Sequence, residues 1–194
     1  LSELFTHAGY ITINISSPNT EGLRNFHDQK EMEKLLIGLN KIKKDKNIIK
    51  PFAIKLSPDI KDEDISIIVE LIKKYNIQSI IISNTTDKNR ENLSDFKKNE
   101  LGGLSGQPLK DISTGLIKKF YKETKGKIKI IGVGGVDSGQ SAFEKITAGA
   151  NAVQLYTGMV YKGPGIVKDI KKELISILKK ENLKNITQAV GINA

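Results

Sequence analysis

Short apolar runs alternate with amphipathic helical segments from one end of the chain to the other. Few folds are open to such a chain, because strands joined by helices pair in parallel. Residues 10–15 (YITINI), 51–56 (PFAIKL), 79–83 (SIIIS), 129–133 and 152–155 read as strands. Helices are expected over 31–44, where Met32, Leu35, Leu36, Leu39 and Ile42 keep helical spacing, and over 62–75, with Ile65, Ile68, Val69 and Ile72 on one face. A third covers 111–124, burying Leu116, Ile117, Phe120 and Tyr121, and a fourth covers 138–148, stopped by Gly149. A last helix, with Pro164 in its first turn, runs to about Lys180, and a final turn is capped by Thr187. The polar stretch 86–103 is a long loop. The sheet is either doubly wound or a (β/α)8 barrel. Five strands fill the first or leave the second incomplete, since a full barrel takes about 250 residues and this chain has 194.

Composition removes several function classes. At 38% hydrophobic residues the chain can bury a core. It has no cysteine, which excludes disulfides, thiolate metal sites and a catalytic thiol. No run approaches the roughly 18 apolar residues of a membrane span. The opening LSELFTHAGY lacks a signal layout, and Leu1 in place of Met leads us to expect further chain upstream. The net charge of +9 comes almost wholly from lysine, with Arg24 and Arg90 the only arginines. Phosphate forks and base readout favour arginine. Lysines such as Lys41, Lys43, Lys44, Lys171 and Lys172 therefore read as solvated helix surface, and no nucleic-acid partner is expected.

Polar residues cluster just after the strand ends, where a barrel places its active site. Asn14, Ser16, Ser17, Asn19 and Thr20 follow the first strand, and Lys55 closes the second. Asn84, Thr85 and Thr86 follow the third, Gly134 and Gly135 the fourth, and Tyr156, Thr157 and Gly158 the fifth. A glycine pair between a strand and a helix lets N–H groups approach a phosphate; it also makes a tight turn with no ligand. Lys55 between Ile54 and Leu56 faces either inward onto an anion or outward from an edge strand. The amides and hydroxyls of NISSPNT and SNTT suit the donor and acceptor edges of a planar heterocycle; alone, they also suit turns and caps. No metal-ligand spacing appears, and His7 and His27 carry no assigned role.

NISSPNTEGLRN, IKLSPD, SNTT, GGLSGQPLKDIST, IIGVGGVDSGQSAFEKITAGA and VQLYTGMVYKGP together resemble the class 2 (quinone-dependent) dihydroorotate dehydrogenases, in family order over about 150 residues. The resemblance implies an α/β chain, part of a (β/α)8 TIM barrel with about five of eight strands present. Residues 1–194 would be the C-terminal part of an FMN-binding barrel domain. That domain would oxidise (S)-dihydroorotate to orotate in pyrimidine biosynthesis and pass electrons to a quinone. Alternatives are another FMN- or phosphate-binding barrel enzyme, or a non-catalytic fragment. The resemblance makes Ser17 the base that takes the C5 proton. Asn14, Asn19, Asn84 and Thr85 would hold the pyrimidine, with Asn14 also touching the flavin. Lys55, Ser83, Gly106, Gly135, Tyr156 and Thr157 would bind FMN, the last four chiefly at its phosphate end. Ser83 stands where the family has threonine, and Gly22, Leu23 and Arg24 would lie in a mobile lid. The resemblance also implies peripheral membrane association through a region upstream. That places the protein at the cytoplasmic face of the bacterial inner membrane or, alternatively, at the mitochondrial inner membrane.

Overall fold

A computed structural model describes residue 3 and residues 5–194; Leu1, Ser2 and Leu4, from the stretch read for a signal, lie outside the described residues. Five strands, β1 (Ile11–Asn14), β2 (Phe52–Leu56), β3 (Ser79–Ile82), β4 (Lys129–Val133) and β5 (Ala152–Gln154), form one parallel sheet in the order β1-β2-β3-β4-β5. A doubly wound sheet reverses its strand order at a switch point. Here each strand simply adds beside the one before it, as in an arc of a (β/α)8 barrel. The chain is therefore α/β with singly wound topology.

Helices α1 (Gln29–Asp45), α2 (Asp62–Lys74), α3 (Lys110–Thr124), α4 (Gly139–Thr147), α5 (Thr157–Lys162) and α6 (Ile166–Lys180) complete the chain. Period-2 alternation sorts the strand side chains. Ile13, Ile54, Ile80 and Ile130 align in register on the helix-covered face. Ile54, Ile80 and Ile130 are fully buried there, in the core that Met32, Leu36, Ile68, Ile72, Ile117 and Phe120 supply from the helices. Asn14, Lys55, Ile81, Ile131 and Ala152 align on the opposite, concave face. That face is only partly covered, and Gln154 Nε2 donates to Tyr10 Oη across it at 3.3 Å. Gly132 belongs to the helix side; a Cβ there would meet Ile117 at 3.0 Å and the Lys145 stem at 3.2 Å.

Four local expectations change. The six-residue α5 was not expected, and it buries no residue, so it leaves no apolar stripe to find. Pro164 precedes α6, whose N-cap is Gly165, instead of entering its first turn. The last turn, Ile186–Ala189, is capped by Asn185, whose side chain accepts from Gln188 N–H; the Thr187 hydroxyl donates to that same oxygen. Tyr121 is half-buried, because it lies along the outside of the core against Gly149 and Gly191.

Candidate active site

The loops at the C-terminal ends of the strands converge on a cleft of about 710 Å3. Eight of the residues singled out from the sequence line it: Lys55, Ser83, Asn84, Thr85, Gly106, Gly135, Tyr156 and Thr157. Asn14, Ser17 and Asn19 lie outside that lining, on the loop after β1. Asn14 is tied to the cleft all the same. Asn84 Nδ2 donates to Asn14 Oδ1 at 3.3 Å and to Ser16 Oγ at 3.1 Å, and Ser16 Oγ donates to Asn14 Oδ1 at 3.0 Å. The two adjacent serines thus differ sharply. Ser16 is fully buried and committed to this network. Ser17 is half-buried, and its Oγ accepts only the Asn19 N–H, at 3.2 Å, leaving its own proton uncommitted among the described residues.

Lys55 stands beside Asn14 in the ladder, half-buried, with no ion-pair partner among the described residues. Burial pushes its amine below the usual lysine range. A cation held there without a carboxylate favours an anionic or electron-rich ligand. Ser83 is buried, and its Oγ donates to the Asn84 carbonyl at 3.1 Å.

At the other end of the cleft, glycines permit close approach. A Cβ on Gly103 would sit 1.9 Å from Thr85 Oγ1, and one on Gly106 would sit 2.9 Å from Thr157 Cγ2. Ser105 and Thr157 share a hydroxyl–hydroxyl bond of 2.9 Å that closes this loop onto the segment after β5. Gly134 and Gly135, both at positive φ, lie against the first turn of α3, where a Cβ on Gly135 would meet Lys110 Cβ at 2.6 Å. The Tyr156 side chain is 80% exposed at the mouth.

The segment after the serines is braced rather than free. Arg24 pairs with Asp59 (3.1 Å) and Asp87 (2.8 Å) and reaches the Thr85 carbonyl (3.3 Å). Asp59 also accepts from Thr86 Oγ1 at 2.7 Å. Arg24 holds the Asp87 carboxyl below its usual range. His27 Nδ1 lies 2.9 Å from the Arg24 carbonyl, and its Nε2 accepts from Ser57 N–H at 3.3 Å. That pattern requires Nδ1–H and a neutral ring, in keeping with the burial that depresses its pKa. The brace joins the loops after β1, β2 and β3. Asp59→Asn keeps the shape and removes the charge, and should weaken local closure by about 1–3 kcal/mol. Hydrogen exchange checks this: residues 17–27 should exchange faster while α6 is unchanged, and equal rates would mean that Arg24 does not hold the segment.

The sequence reading gave no role to Ser16 or His27 and passed over Asp59 and Lys145. Ser16 and Asp59 stood inside quoted motifs but looked like their neighbours. Lys145 carried a usable signal: it lies three residues from Ala142 and next to Ile146, on the apolar side of α4. Among the described residues, no group of three or more His, Asp or Glu side chains is placed to hold a metal.

Comparison with known proteins agrees with this layout. The dihydroorotate dehydrogenase family model matches residues 1–178. The chain is 44% identical to a dihydroorotate dehydrogenase (quinone) of Trichodesmium erythraeum, covering 94% of this chain and 50% of the relative. It is 40% identical to the mitochondrial dihydroorotate dehydrogenase (quinone) of Mus musculus, covering 96% and 48%. It is 45% identical to that of Vibrio cholerae, covering 90% and 53%. The crystal structure of the Eimeria tenella DHODH in complex with ferulenol superposes with a TM-score of 0.94 at 32% identity, over 99% of this chain and 56% of that one. The chain spans about half the length of the curated relatives it matches.

Proposed function

The chain belongs to the dihydroorotate dehydrogenase family, and from that premise we propose that it forms the C-terminal part of the catalytic barrel of the quinone-dependent enzyme. The reaction is the oxidation of (S)-dihydroorotate to orotate, a step of pyrimidine synthesis. One observation carries most of the weight. Asn14, Ser16 and Asn84 are hydrogen-bonded across two strand ends beside the half-buried, carboxylate-free Lys55. That array suits a flat ring with carbonyl and N–H edges next to an electron-rich cofactor.

The residues present fit FMN. The cleft volume of about 710 Å3 lies within the roughly 300–1,000 Å3 of small-ligand pockets. Its glycines occupy positions that a Cβ would fill. FMN would supply the acceptor for the hydride leaving C6 and, through it, a route for the electrons to a quinone. Ser17 takes the C5 proton and must pass it on, because a serine is a poor base; Thr20, exposed in the same turn, leads outward. Asn14, Asn19, Asn84 and Thr85 hold the pyrimidine and its carboxylate. Lys55 and Ser83 would hold the isoalloxazine and ribityl parts, and Gly106, Gly135, Tyr156 and Thr157 the phosphate end. The quinone follows from the relatives' names. No helix among the described residues is long and apolar enough to cross a membrane. We assign membrane contact to chain upstream of Leu1, at the cytoplasmic face of a bacterial inner membrane or, as in the mouse relative's name, at the mitochondrion.

The test uses protein carrying the complete barrel, loaded with FMN. Dihydroorotate should bleach the flavin without oxygen, orotate should perturb its spectrum, and a quinone should restore the colour. Flavin that responds to neither pyrimidine would defeat the assignment.

A further inference from the structure

Lys145 is fully buried on α4, the only charged side chain so deeply covered among the described residues. Its ammonium donates to Ser113 Oγ at 2.5 Å, Thr114 Oγ1 at 3.0 Å and the Lys110 carbonyl at 3.2 Å. Three donors thus meet three neutral oxygens, all on the first turns of α3, and no carboxylate touches the amine. Burying a charge without a counter-ion is costly, so a methionine-like side chain would fill this place more cheaply. Something outside the immediate shell therefore has to favour the charge.

The surroundings indicate what that is. Ser113 Oγ, which takes the lysine's shortest bond, lies 3.5 Å from the Gly134 carbonyl, and a Cβ on Gly134 would come within 2.9 Å of it. Gly135 packs on Lys110, the residue whose carbonyl also binds Lys145. Gly134 and Gly135 line the cleft on the opposite side. The lysine thus sits one hydroxyl behind the glycine turn. The charged groups around it pair only in part: Lys110 offsets Glu144, and Asp111 and Glu173 leave a negative excess that also favours the charged amine. Lys110 pairs with Glu144 at 3.1 Å, Asp111 is on the same turn of α3, and Glu173 of α6 binds the far end of α4 at the Gly139 N–H. The strand β5 and the turn Ile186–Ala189 add no titratable side chain, and Lys129 of β4 is exposed.

We propose that Lys145 is a positioning cation for the phosphate subsite: it braces the Gly134 turn through Ser113 and supplies, from behind, positive potential that favours a dianionic phosphate monoester in the cleft. This rests on the reading of the cleft as an FMN site. Burial brings the amine down to about 8 in the free protein. A dianion in front of it favours the charged form. By reciprocity, binding near pH 8 takes up protons, and affinity falls as pH rises through that region.

The experiment compares FMN with riboflavin, which lacks the phosphate, on the protein and on Lys145→Met, with circular dichroism and a melting curve to establish that the variant folds. FMN affinity should fall on the order of tenfold in the variant, while riboflavin affinity stays the same. Calorimetry at pH 8 in buffers of different ionisation enthalpy should show proton uptake on FMN binding by the protein and none by the variant. If FMN binds both equally, with equal proton uptake, Lys145 has no such role although the cleft reading stands. If FMN binds no better than riboflavin to either protein, the cleft is not a phosphate site and both readings fall. Should Lys145→Met fail to fold, Lys145→Gln and the proton-uptake measurement on the parent protein decide the question.

Discussion

In protein with the full barrel, Ser17→Ala is expected to lower the rate of flavin reduction by dihydroorotate by about 10²–10⁴-fold, the usual contribution of a general base, while FMN and orotate still bind. The adjacent pair of serines sharpens the test. Ser17 Oγ accepts one backbone N–H and keeps its proton free. Ser16 is buried between Asn14 and Asn84. Ser16→Ala would leave an Asn84 N–H and an Asn14 oxygen short of a partner. It should therefore show mainly as weaker pyrimidine binding, because it loosens the holding groups and leaves the base in place. The two variants thus separate chemistry from binding. Ser17→Cys should retain some activity, since a thiolate accepts a proton. Near-normal single-turnover reduction in Ser17→Ala would remove Ser17 from the role and turn attention to Ser16.

The second large effect is the loss of turnover when residues 1–194 are prepared alone. β1 pairs only with β2, and β5 only with β4, so the sheet has two open edges among the described residues. Barrel closure is what fills the interior with side-chain layers. Here Ile131, Val133 and Ala152 on the concave face remain partly or fully exposed. Open parallel edges template mispairing, and the contact between Gln154 and Tyr10 is a single side-chain bond. The end of the cleft proposed to hold the phosphate is local to β4, β5 and the 103–109 segment, so weak FMN binding should survive. Purified residues 1–194 mixed with FMN, dihydroorotate and a quinone should not turn over, and the sample should be prone to association. Sustained turnover by a single well-defined species would show that the sheet closes in another way, such as by pairing with a second copy.

Much of the frame was legible beforehand. The strand read at residues 129–133 is β4 with the same bounds, and the other four match within one or two residues. These runs are apolar because their helix-facing sides are covered, fully in β2, β3 and β4 and partly in the edge strands β1 and β5, and such runs are visible in any window. The helix α5 was invisible for the converse reason, since none of its own residues is buried. Eight of the eleven residues expected at the site line one cleft because parallel strands put all their C-terminal loops on one rim. The two loops singled out for amides follow β1 and β3, with β2 between them, and meet on that rim through Asn84 and Asn14.

Periodicity, glycine placement and strand-end chemistry are properties of neighbouring residues, so the sequence alone determined the α/β class, the parallel strands and the rim that bears the polar loops. Three things were decided by contacts between distant residues. Which serine is free depends on Asn84, 70 residues from Asn14. Arg24 is a brace because Asp87, 63 residues away, turns toward it. Lys145 is a buried cation because Ser113, 32 residues away, packs on its helix. In a one-dimensional reading the place of Lys145 on the apolar side of α4 hints that it is covered, but not by what. Only packing, which removes water and sets three oxygens around the amine, gives it a different energy from the rest.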